Sequence, residues 1–195
     1  MTIKIHVQQN LVWYAVYGSN LLERRFLCYI RGGTFNGITY HGCHDKSLPK
    51  SIRQYSMTYP VYFSKKAPKW DSGGVAFIRN IPMNEKLTLG KAYLITHEQF
   101  KEVQNQEGLK WYGKEIYLGE LDGYPVLTIT SPTEEALNPP SFPYLKVIYD
   151  GLRETYQSKS VTEIIHYLYN LAGVKDYYSI EDLNKLESFN PVPMM

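Results

Sequence analysis

An α+β fold is the class this 195-residue chain predicts, and three observations carry it. Short apolar runs punctuated by Gly, Pro, Asn and Asp fill the first two thirds, while the longest helical periodicity lies in the last third. The composition, 44% hydrophobic and 21% charged, is that of an ordinary globular domain. Such a length predicts a single domain over 1–195 that buries a core without disulfide or metal staples. The 18 Tyr suit a strand-rich core and partly buried polar pockets, since each joins a large apolar ring to a hydroxyl.

In chain order, strand-like runs fall at I-K-I-H-V (3–7), L-V-W-Y-A-V-Y (11–17), Y-P-V-Y-F (59–63) and V-A-F-I (75–78). Three more follow at K-A-Y-L-I (91–95), K-E-I-Y-L (114–118) and Y-P-V-L-T-I-T (124–130), the last two joined by a tight hairpin at Asp122-Gly123. After the second run the chain breaks at Gly18-Ser19-Asn20, and L-L-E-R-R can start a helix. The segment from Arg31 to Asp71, rich in Gly, Ser, Pro, Lys and Tyr, shows one clear strand and is long enough to be a lid or an insertion. Gly73 and Gly74 are expected to serve a tight bend.

Helices announce themselves by caps and spacing. Thr96-His97-Glu98-Gln99 is a capping-box pattern that predicts a helix over 97–107 stopped by Gly108. A second begins near Tyr144 and carries Leu145, Ile148 and Leu152 on one face. Val161, Ile164, Ile165, Leu168, Leu171 and Ala172 form a further stripe ended by Gly173, and Ser179 opens a last short helix with Leu183 and Leu186. The tail N-P-V-P-M-M is expected to fray.

Several function classes are excluded early. A net charge of +2 with scattered Lys and Arg predicts no nucleic-acid partner. No run approaches the ~18 apolar residues of a membrane span, the N-terminus lacks a signal-peptide core, and Cys28 and Cys43 are too few for a disulfide framework. A cytoplasmic protein without membrane attachment is expected. His41, Cys43, His44 and Asp45 lack the separated pairs of a zinc module, so no metal is expected there.

Two features could carry chemistry. A strand feeding a Gly turn into a helical start points backbone N–H groups, and the positive end of a helix dipole, at an anion; Ser19 and Asn20 in that place are also ordinary caps. The turn lacks the lysine and spacing of a P-loop, and no G-x-S-x-G elbow surrounds Ser19. Glu107, at the end of the helix capped by Thr96, meets the negative end of its dipole. A desolvated carboxylate there is disfavoured in its charged form, which suits a general base, although a solvated Glu is the plainer reading.

Together with their spacing these features are more specific. Y-G-S-N-L-L, then W-D-S-G-G-V-A-F-I (70–78), G-K-A-Y-L-I-T (90–96), N-Q-E-G (105–108) and P-S-F-P-Y-L-K-V-I (140–148) resemble the gamma-glutamylcyclotransferase family in order and approximate spacing. The resemblance covers roughly Val12 to Thr155. It implies a mixed, barrel-like sheet flanked by helices, with a core over 11–155 and a C-terminal helical extension over 156–195. It also implies cofactor-independent conversion of a small-molecule gamma-glutamyl amide to 5-oxoproline and a free amine. Tyr17, Gly18, Ser19, Asn20 and Leu21 would hold the substrate carboxylate end and Glu107 would be the base. Tyr144 would lie near the substrate or simply pack the following helix. The stretch from Leu22 to Trp70 and the residues after Thr155 depart from simpler members of the family, so the resemblance does not carry the substrate over. A non-catalytic module binding a carboxylate ligand is the rival from another class.

Overall fold

The structure is a computed structural model and describes residues 10–190; the strand predicted at 3–7 and most of the tail, 191–195, lie outside the described residues. Five strands make the central sheet: β1 (Leu11–Val16), β4 (Ser51–Met57), β7 (Thr88–Thr96), β8 (Lys114–Leu121) and β9 (Tyr124–Thr130), in the order β4-β7-β1-β9-β8. β1 is antiparallel to β7, with Trp13 opposite Leu94, and parallel to β9, with Trp13 opposite Val126. The sheet is therefore mixed. Val12 to Val16 are all buried because β1 is covered on both faces, which is why its sequence is continuously apolar rather than alternating.

Two hairpins complete the strands: β2 (Gly33–Phe35) with β3 (Ile38–Tyr40), and β5 (Val61–Ala67) with β6 (Gly73–Ile78). The second leans on the end of β9, where the Thr130 hydroxyl accepts from the Ile78 N–H at 3.1 Å and donates to the Ile78 carbonyl at 2.8 Å. The arrangement is barrel-like without closing, as the central sheet and the hairpin remain separate ladders.

The helices are α1 (Glu23–Arg31), α2 (His97–Glu107), α3 (Leu109–Tyr112), α4 (Phe142–Thr155), α5 (Val161–Tyr169) and α6 (Ile180–Asn184). The capping box on α2 is formed: Thr96 Oγ1 accepts from the Gln99 N–H and Gln99 Oε1 accepts from the Thr96 N–H, both at 3.0 Å. Ser160 and Ser179 form the same box with Glu163 and Asp182 on α5 and α6, whereas Ser141 caps α4 only by accepting from the Tyr144 N–H. Phe100 and Val103 of α2, and Leu145, Ile148 and Leu152 of α4, are fully buried, as their spacing requires.

Three expectations are corrected. Segment 31–71 holds β2, β3 and β4 besides β5; β4 is an edge strand whose S-I-R-Q-Y-S-M residues are mostly half-exposed, so its apolar signal is weak. Gly73 and Gly74 lie inside β6, while the bend falls on Asp71 and Ser72, both at positive φ. The two glycines instead admit the 138–141 segment, for a Cβ on Gly74 would stand 2.0 Å from the Asn138 carbonyl oxygen. The helix predicted to run on to Gly173 ends at Tyr169, whereas the helical start read in L-L-E-R-R is present as α1, which begins at Glu23 after a single 3-10 turn over Ser19–Leu21.

Candidate active site

β1 stops at Val16 because Gly18 turns the chain away from the sheet. Gly18 must be small there: a Cβ would meet the Ala76 Cβ and the Tyr144 hydroxyl at 3.2 Å each. The 3-10 turn that follows gives the Leu21 N–H to the Gly18 carbonyl and the Leu22 N–H to Ser19. The N–H groups of Ser19 and Asn20 take no backbone acceptor among the described residues, as the first donors of a helical turn do. They border a cavity of about 350 Å³.

Glu107 reaches that cavity from the end of α2. Gly108, at φ +90°, breaks the backbone between α2 and α3 and leaves Glu107 as the last residue of α2. Its Oε1 accepts from Asn20 Nδ2 at 2.8 Å. The turn and the glutamate, 87 residues apart in sequence, are thus in direct contact. Asn20 is 5% exposed and its Oδ1, buried beside this bond, meets no partner.

Of the residues predicted for the site, Tyr17, Gly18, Ser19, Asn20, Tyr144 and Glu107 line the one cavity. Leu21 does not line it. Its side chain is fully buried against Gly151 of α4 and its N–H is committed to Gly18. Tyr17 donates to the Ile129 carbonyl at 2.6 Å, and the Tyr144 hydroxyl accepts from the Ala76 N–H at 3.1 Å while its ring packs on Trp70 at 4.9 Å. Tyr144 therefore packs and also lines the cavity.

Sequence reasoning missed Tyr14, Arg25, Lys69, Trp70 and Tyr112, all on the same wall. Tyr14 packs its ring on Phe26 and Phe100, and its hydroxyl donates to no protein acceptor among the described residues. Burial first, and the neighbouring charge of Glu107 second, push that hydroxyl well above the usual phenol value, so it stays a neutral donor. Tyr112 and Tyr144 are raised by burial in the same direction. One signal was available for Arg25. With Leu21, Leu22, Phe26, Tyr29 and Ile30 it occupies the buried face of the turn and α1, where an arginine is out of place.

The four residues His41, Cys43, His44 and Asp45 make no metal centre, and among the described residues no group of three potential ligands converges anywhere. Cys43 is buried and its thiol is pushed up to about 12 by burial and by Glu102, which disfavours the thiolate a metal needs. His44 is tied to Glu102 at 2.9 Å. Among the described residues no helix is long and apolar enough to cross a membrane.

This architecture defines a class: the chain has the gamma-glutamyl cyclotransferase fold. It superposes on a solved gamma-glutamyl cyclotransferase with a TM-score of 0.57 at 18% identity, covering 90% of this chain and 98% of that one. An uncharacterised human protein matches with a TM-score of 0.58 at 19% identity over 91% and 99% of the two chains. YkqA from Bacillus subtilis matches with 0.56 at 18%, over 85% and 56%. No protein-family model matches the sequence. A curated relative is Histone deacetylase 5 of Arabidopsis thaliana, 31% identical over an alignment that takes in 73% of this chain. The match spans only 28% of the length of that protein.

Proposed function

We propose that the protein is a gamma-glutamylcyclotransferase-like enzyme that converts a gamma-glutamyl amide to 5-oxoproline and releases the amine. The observation that carries this reading is the hydrogen bond between Glu107 and Asn20 at one cavity, which sets the proposed base beside the proposed carboxylate-binding turn. The free N–H groups of the turn take the substrate α-carboxylate, and Glu107 takes a proton from the α-ammonium group. The freed amine attacks the γ-carbonyl, closing a five-membered ring through a new C–N bond. The tetrahedral oxyanion collapses and the amide C–N bond breaks. The α-nitrogen loses two protons in all and the departing nitrogen gains two, so the amine leaves as its ammonium form and Glu107 returns to the carboxylate.

Because the nucleophile belongs to the substrate, the gain comes from holding one molecule in a folded conformer and from donors aimed at the oxyanion. The Tyr14 hydroxyl, with Asn20 beside it and Glu107 near, is the donor assigned to that role. The proposed site is Tyr17, Gly18, Ser19 and Asn20 for binding, Tyr144 as wall and Glu107 as general base.

The test is 5-oxoproline release from a panel of gamma-glutamyl amino acids and gamma-glutamylamines. Glu107→Gln should lose roughly 10²–10⁴-fold in turnover, the usual worth of a general base, while keeping its fold and its ligand affinity. Turnover equal to the parent would remove Glu107 from the chemistry. Ligand binding by the parent without product would replace the enzyme by a binding module.

A further inference from the structure

Arg25 is the least explained residue of the site. Its side chain is 1% exposed, yet among the described residues no carboxylate lies within ion-pair distance of it. A buried charge is costly unless it is paired. Nη1 donates to the Tyr40 hydroxyl at 2.6 Å and Nη2 to the Tyr29 hydroxyl at 3.1 Å; Nε is buried with no acceptor. The rings of Tyr29, Phe35, Tyr40 and Trp70 box the guanidinium at 5.2 to 5.7 Å. Aromatic faces recover part of the lost hydration, because a guanidinium stacks well, but they supply no anion.

Lys69 lines the same cavity, and among the described residues it forms no ion pair, although Glu107 acts on it from a distance. The residue is exposed, but its ammonium is crowded by protein. Desolvation pulls it below the ordinary lysine value, with Glu107 opposing and Arg25 adding to the effect. The wall thus holds two fixed cations against the single carboxylate of Glu107. A gamma-glutamyl amide of an uncharged amine carries one carboxylate and one ammonium and is neutral overall. It leaves the excess positive charge of the wall unmatched.

We infer that Arg25 and Lys69 form an anion subsite that recognises a carboxylate on the amine half of the substrate and so determine which gamma-glutamyl amides are accepted. The inference rests on the cyclotransfer reading for the identity of the glutamyl half. It also gives segment 31–71 a purpose. Phe35 of β2, Tyr40 of β3 and Trp70 just after β5 all come from that stretch, and together with Tyr29 they build the box that holds Arg25. On this reading the segment acts as a specificity device by holding Arg25 at the cavity.

The experiment uses the full chain carrying Glu107→Gln, which holds substrate without consuming it, and two probes: gamma-glutamylalanine and gamma-glutamylalaninamide. They differ only in the second carboxylate. Calorimetry should show the first bound ~10-fold or more tightly than the second, as expected for a charge-assisted bond made in a desolvated place. Arg25→Met should bring the two affinities together by weakening gamma-glutamylalanine alone. Lys69→Met, at an exposed position that tolerates change, should narrow the gap by ~3-fold and decides the matter if Arg25→Met does not fold. Equal affinities in the Glu107→Gln protein, no binding of either probe, or variants that weaken both probes alike would overturn the subsite. The parent protein separates this from failure of the enzyme reading. No 5-oxoproline from either probe, with the affinity gap intact, removes cyclotransfer and keeps the subsite; release from both, with no gap, does the reverse.

Discussion

At the residue scale, the cavity sets neutral hydroxyl donors and two cations, Arg25 and Lys69, around one carboxylate, Glu107. Burial raises the Tyr14, Tyr112 and Tyr144 hydroxyls together, so none of them ionises near neutral pH and each can only donate or accept a hydrogen bond. Of these, Tyr112 spends its proton on the Ala76 carbonyl at 3.0 Å, whereas Tyr144 only accepts from the Ala76 N–H, so Tyr144 and Tyr14 both keep a proton for a ligand, and Tyr14 is the one whose hydroxyl feels Glu107 most directly. Tyr14→Phe should therefore lower kcat for 5-oxoproline release by ~10²-fold, the order seen when one oxyanion donor is removed, with little change in thermal stability. A second residue-scale expectation concerns Cys43. Its thiol, held near 12 by burial and by Glu102, should resist iodoacetamide at pH 8 in the native protein and react once the chain is unfolded in urea. Rapid native alkylation at Cys43 would contradict its buried placement.

At the scale of elements, the site depends on two joints. The first is the start of α2, which fixes the direction in which Glu107 emerges. Its Gln99 also donates to the Asp45 and Ser47 carbonyls at 2.9 Å each, tying the loop after β3 to the same cap. Thr96→Ala should cost about 1 kcal/mol, the usual worth of an N-cap, read as a lower urea midpoint with an unchanged m-value. The second joint is α4 against the 3-10 turn. A Cβ on Gly151 would stand 2.4 Å from the Leu22 nitrogen and 2.6 Å from the Leu21 Cβ. Backbone cannot yield as a flexible side chain does, so Gly151→Ala should destabilise by about 1–3 kcal/mol. It should also displace the turn and impair ligand binding, although it lies outside the cavity lining.

At the scale of the whole molecule, the C-terminal helices satisfy backbone groups at the start of β7. The last ladder partners of β1 and β7 are Val16 and Lys91, because the chain leaves the sheet at Gly18. On that side Leu89 and Gly90 of β7 extend beyond β1. The Tyr167 hydroxyl of α5 accepts from the Leu89 N–H at 3.1 Å. Tyr156, at the end of α4, accepts from the Gly90 N–H at 3.0 Å and donates to its carbonyl at 2.8 Å. Two side-chain hydroxyls thus satisfy backbone groups at this end of β7, that of Tyr156 lying also against the Tyr55 carbonyl of β4 at 3.4 Å. Tyr156→Phe should cost about 1–3 kcal/mol through the unpaired Gly90 groups, measured by thermal unfolding, with the site residues unchanged. An unaltered Tm would mean that water satisfies that end of β7.

The sequence by itself determined the elements whose signals are local. The Thr96-to-Gln99 box set the start of α2, the stripe of Leu145, Ile148 and Leu152 set α4, and the Gly18 break marked one half of the site. Caps, turn residues and periodicity act within a few residues and leave their record there. The edge strand β4 left a faint record because little of it is buried, and Gly74 was legible as a glycine but not as a contact with Asn138. Only the tertiary structure decided that Glu107 meets Asn20, that Leu21 turns inward, and that Arg25 is boxed by rings drawn from α1, β2, β3 and the turn after β5. Those facts depend on the parallel and antiparallel pairings that bring distant segments together, and no local pattern encodes which residues will share a cavity wall.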